Sequence, residues 1–71
     1  MYTIKNREDL RFAEILRNTF ESGLRNNGFG KPETARAELK EIKREIRRYA
    51  RQSKATRAEL KSVRKEVSGY M

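Results

Sequence analysis

RQSKAT, residues 51–56, is the stretch on which the architecture of this chain turns. Between Glu33 and Ser68 there is neither Gly nor Pro, and Ala, Glu, Lys, Arg and Leu dominate, so local propensity favours helix on both sides of it. Read as helix, the six residues join their flanks into one arm over 32–68. Read as a boundary, they break that arm near 52–56. Thr56 followed three residues later by Glu59 has the spacing of a capping box, which opens a new helix there.

The continuous reading draws its strength from a repeat. ARAELKEIKREI, residues 35–46, returns as TRAELKSVRKEV, residues 56–67, with six of twelve positions identical and four conservatively exchanged. The offset of 21 residues is three heptads, so equivalent residues fall on one line of a coiled-coil helix. That line holds Leu39, Ile46, Ser53, Leu60 and Val67 at a, and Ala35, Ile42, Tyr49, Thr56, Val63 and Tyr70 at d. One flank is mostly acidic (Glu38, Glu45, Gln52, Glu59, Glu66) and the other mostly basic (Arg36, Lys43, Ala50, Arg57, Arg64). In a parallel homodimer Glu38 meets Lys43, Gln52 meets Arg57 and Glu59 meets Arg64 across the pair.

Ser53 and Thr56 weaken that seam, because both place small polar groups in it. The alternative is a three-helix bundle, with helices near 7–26, 32–52 and 55–68, whose flank charges face the first helix or solvent. In either case the chain is all-α and forms one small domain over 1–71. NNGFGKP, residues 26–32, carries the other break: Gly28 is placed to end a helix and Pro32 to start one. Upstream, Asn6 is a good N-cap with Glu8 and Asp9 in the first turn, predicting a helix over 7–26. Leu10, Phe12, Ala13, Leu16, Phe20 and Leu24 form its apolar face, Ile15 falls just outside, and both Phe12 and Phe20 are expected to fill core. Tyr2 and Ile4 either fold back on the helices or fray.

Composition narrows the function. The chain has neither Cys nor His, which removes disulfides, thiolate chemistry and the commonest metal ligand and neutral-pH base. No metal, no cofactor and no enzymatic activity are expected. GFGKPET lacks the glycine spacing and preceding strand of a phosphate loop and reads as an interhelix turn. The first residues hold no apolar run ahead of their charges, so neither a signal peptide nor a membrane span is expected, and the cytoplasm is the default location.

Eighteen Lys and Arg against ten Asp and Glu give a net charge of +8, which favours an acidic partner. Lys40, Lys43, Arg44, Arg47, Arg51, Lys54, Lys61, Arg64 and Lys65 form a stripe beside the seam, densest in KREIRRYAR, residues 43–51. On a continuous helix it extends for about 50 Å, enough to follow a nucleic-acid backbone. Few residues suited to reading bases accompany it (Gln52, with Asn26 and Asn27 in the turn), so the phosphate backbone of DNA or RNA is the expected target. The alternative is a regulator or inhibitor, of the accessory or phage type, docking its basic face on an acidic protein or ribonucleoprotein surface. Lipid is a poor fit, since the narrow a/d seam suits another helix better than a bilayer.

Overall fold

The computed structural model describes residues 2–26, 28, 30 and 32–69 and contains three helices: α1 (Arg7–Arg25), α2 (Pro32–Ala50) and α3 (Lys54–Ser68). Asn27 and Tyr70 lie outside the described residues. Each helix begins for a local reason. Asn6 Oδ1 accepts the Asp9 N–H at 2.9 Å, while the Asp9 carboxylate accepts the Lys5 N–H at 3.1 Å and fixes the incoming chain. At the far end of α1, Asn26 N–H donates to Ser22 and Gly28 N–H to Gly23, closing orphan carbonyls. Pro32 occupies the first position of α2, where a missing N–H costs nothing.

RQSKAT is a boundary. The N–H groups of Arg51 and Gln52 still donate back to α2 carbonyls, and then Ser53 adopts an extended backbone (φ −164°, ψ 171°) and caps α3. Ser53 Oγ accepts the Thr56 N–H at 3.1 Å and Thr56 Oγ1 accepts the Ser53 N–H at 3.1 Å, a reciprocal capping box. The cap therefore lies three residues before Thr56, the residue expected to start the helix. Glu59 instead accepts the Tyr49 hydroxyl at 2.9 Å and ties α3 back to α2. The longest dimension of the molecule is 38 Å, too short for a straight arm over 32–68.

The heptad seam nonetheless identified the buried set. Ile42, Ile46, Tyr49, Leu60, Val63 and Val67 form one core with Leu10 and Ala13 of α1 and with Ile4, and Leu16, Phe20 and Ala50 pack against it. Full burial of Leu10, Ile42, Ile46 or Val63 is worth about 1.5–3 kcal/mol each. The seam is covered by α1 of the same chain. Tyr2 and Ile4 fold back: the Tyr2 hydroxyl donates to Glu38 and Arg48 Nη2 donates to the Ile4 carbonyl at 3.2 Å.

One expectation for α1 is corrected: Phe12 does not fill core, whereas Ile15 lies outside the buried face as expected. Phe12 is 62% exposed and Ile15 41% exposed, while Glu14 is fully buried. With Leu10, Ala13, Arg17, Phe20 and Leu24 as the inward line, Phe12 lies about 120° round the helix, beyond the contact arc. The large apolar side chain had widened the inferred face in the wrong direction.

Candidate nucleic-acid interface

Most of the flank charges assigned to a partner chain find partners within this one. Glu66 pairs with Arg7 at 2.9 Å and Arg11 at 3.5 Å, Glu45 pairs with Arg48 at 2.8 Å, and Glu38 and Glu59 accept tyrosine hydroxyls. Lys43 reaches Glu21 at 3.3 Å, and Arg64 Nε reaches Glu14 Oε1 at 2.8 Å. The acid–base asymmetry of the flanks thus fixes how α2 and α3 pack on α1.

At the centre of this network lies Glu14, whose side chain is 1% exposed. Arg17 Nε takes its second oxygen at 2.8 Å, and Arg17 Nη1 continues to Glu21 at 3.1 Å. A buried carboxylate is tolerable only when both oxygens are satisfied by charged donors, which is the arrangement here. Burial works against the charge on Glu21, but the Lys43 hydrogen bond and the attraction of Arg17 and Lys43 outweigh it and hold its carboxyl below the ordinary value. Burial likewise opposes the Arg17 charge, and Glu14 and Glu21 override it, leaving that guanidinium more firmly protonated than usual.

All nine cationic residues expected to form the interface are exposed, but they do not form one line. Lys43 and Arg64 are held in the network just described. Lys40, Arg44 and Arg47 of α2, with Arg51 in the turn directly after it, share a face and, among the described residues, have no carboxylate partner. Arg44, Arg47 and Arg51 surround a surface depression of about 360 Å³ together with the Arg48–Glu45 ion pair. Lys54, Lys61 and Lys65, at intervals of seven and four, share a face of α3, which the turn at 51–53 sets apart from α2.

Arg36 was missed. Arg36, Lys40, Arg44, Arg47 and Arg51 follow at intervals of four, four, three and four, one helical line about 22 Å long. The spacing was visible in the sequence, but the heptad register had placed Arg36 only on the basic flank of the seam, and it was left out of the stripe. Glu14 left no comparable signal, because a single Glu beside an apolar line looks like any solvated helix flank.

Arg17, Lys43, Arg47 and Arg64, from all three helices, also converge on an open cleft of about 400 Å³. Among the described residues no group of three or more Asp and Glu is placed to hold a metal ion, and no helix is long and apolar enough to cross a membrane.

Compared with protein-family models, with curated proteins and with solved structures, the chain matches none. Its class is therefore the one its own fold and surface define: a small, basic three-helix protein.

Proposed function

We propose that this protein is a non-enzymatic nucleic-acid-binding protein that grips the phosphate backbone of DNA or RNA with the arginine face of α2. One observation carries the reading. Arg44, Arg47 and Arg51 stand exposed around one depression without a carboxylate partner, while Glu45 on its rim is held by Arg48 and neighbouring Lys43 by Glu21. Unpaired guanidiniums in a row suit bidentate phosphate contacts and lose little on binding, since no internal ion pair must be broken. Lys40, Lys54, Lys61 and Lys65 add long-range attraction. The chain's charge and the scarcity of base-reading side chains on this face point to sequence-tolerant binding. Gel shift with arbitrary DNA and RNA over a salt series tests this: affinity should fall steeply with salt and be shared by unrelated sequences.

The second reading is a protein-binding regulator or inhibitor, and Phe12 favours it. Its exposed ring stands one turn from Ile15 on the outer surface of α1, an apolar pair that phosphate binding does not use. No shift at low salt, with a single protein retained by the immobilised chain and lost on Phe12→Ser, would select this reading instead.

A further inference from the structure

The cleft between the helices is built differently from the α2 face. Its rim is Arg17, Lys43, Arg47 and Arg64, and its floor is apolar, formed by Ala50 with the edges of Ile46 and Leu60. A volume of about 400 Å³ falls within the range of about 300–1,000 Å³ usual for small-ligand sites. Glu14 aims two of the walls. Arg17 and Arg64 each hold that buried carboxylate through Nε, which fixes both guanidinium planes. Among the described residues, Arg17 Nη2 and both Nη atoms of Arg64 then have no acceptor. Arg47 has no carboxylate partner either. Against Glu14 and Glu21, the four cations leave two positive charges over an apolar surface.

We propose that this cleft takes one unstacked nucleotide of a single strand, with its phosphate between Arg47 and Arg64 and its base on the Ala50 and Leu60 floor. The proposal rests on the phosphate-binding reading above and names the form of nucleic acid preferred. An inorganic phosphate would satisfy the guanidiniums and leave the floor wet. A nucleotide supplies both the anion and a flat, weakly hydrated face, and arginine planes can stack against bases as aromatic rings do. In a duplex the base stays in the stack and cannot reach the floor, so only an unpaired or extruded nucleotide fits. Anchoring by Glu14 means that the donors are oriented before the ligand arrives, which lowers the ordering cost of binding.

Fluorescence anisotropy with a short oligothymidine and an abasic strand of equal length tests it. The base-bearing strand should bind about tenfold more tightly, as expected for one seated base. Ala50→Phe fills the cleft without changing charge and should bring that ratio close to one. Should the variant fold poorly, the native protein gives the same answer by NMR: the methyl signals of Ala50 and Leu60 should shift with oligothymidine and stay in place with the abasic strand. Equal affinities for the two strands, or methyl signals unmoved by either, overturn the cleft while leaving backbone binding intact. Failure of every strand and duplex to bind overturns both readings. Binding of adenosine monophosphate alone, abolished by Ala50→Phe, would overturn the strand and assign the cleft to a free nucleotide.

Discussion

Glu14 shows how much one side chain decides in a chain this short. Its two oxygens join α1 to α3 through Arg64 and anchor Arg17, which continues by way of Glu21 to Lys43 on α2. Glu14→Gln keeps the shape but removes the charge from both hydrogen bonds, and should lower stability by about 2 kcal/mol in urea unfolding. A change below about 0.5 kcal/mol would mean that water screens the network. Leu10→Ala should cost about 2–5 kcal/mol, enough to threaten folding, while Phe12→Ala should fall within about 0.5 kcal/mol. Equal losses would show that α1 is rotated about its axis. The tyrosines give a pH signature. The hydrogen bond to Glu38, then burial, raises the pKa of Tyr2; burial, then the hydrogen bond to Glu59, raises that of Tyr49. A phenol with a raised pKa holds its proton longer when folded than when unfolded. Its stabilisation is complete below the ordinary value of 10.0 and is lost as pH rises through the folded value. Thermal midpoints should therefore drop between pH 9 and 11 by more in the native protein than in the Tyr2→Phe, Tyr49→Phe variant, all pH values being about these.

At the scale of elements, the break after α2 separates the two architectures that the sequence permits. Ser53 caps α3 through its hydroxyl, so Ser53→Ala should destabilise by about 1 kcal/mol. Ser53→Ile, which would mend a coiled-coil seam, should destabilise as well and leave the sedimentation coefficient unchanged; a dimer formed by that variant would restore the long arm. Much of the element structure was legible. Asn6, Pro32 and the Gly28 turn announce their helix ends by local chemistry, and the a/d positions of 32–68 name the residues that α2 and α3 bury. What those residues pack against was not legible. A three-four spacing requires an apolar partner but does not say whether it comes from another chain or from α1, and the repeat made the two halves of 32–68 look continuous. The dihedral reset at Ser53 decides it, where the sequence offers two small hydroxyls in the seam and a capping-box spacing at Thr56 and Glu59 that is compatible with a break. For the interface, the α2 cations were legible as helical spacing. Which cations are free was not, because the carboxylates that hold Lys43 of α2 and Arg64 of α3 lie on α1, far away in sequence.

For the molecule as a whole, the fold sets two groups apart within the basic charge. Lys43, Arg48, Arg64 and the α1 arginines Arg7, Arg11 and Arg17 neutralise carboxylates and hold helices in place. The line from Arg36 to Arg51 is left facing outward. Substituting the first group would confound binding with unfolding, so a charge-matched control must come from exposed cations outside both groups, such as Lys5, Arg25 and Arg57. The most direct measurement is the salt dependence of affinity for a generic duplex in three proteins of confirmed helicity: the native chain, Arg44→Gln with Arg47→Gln and Arg51→Gln, and Lys5→Gln with Arg25→Gln and Arg57→Gln. If α2 holds phosphates, the arginine triple variant should bind every sequence more weakly, and its slope of log K against log salt should shrink by about 0.9 for each phosphate no longer neutralised, while the control stays near the native slope. Equal weakening and equal slopes in the two triple variants would mean that net charge alone attracts nucleic acid, and would contradict a binding face on α2.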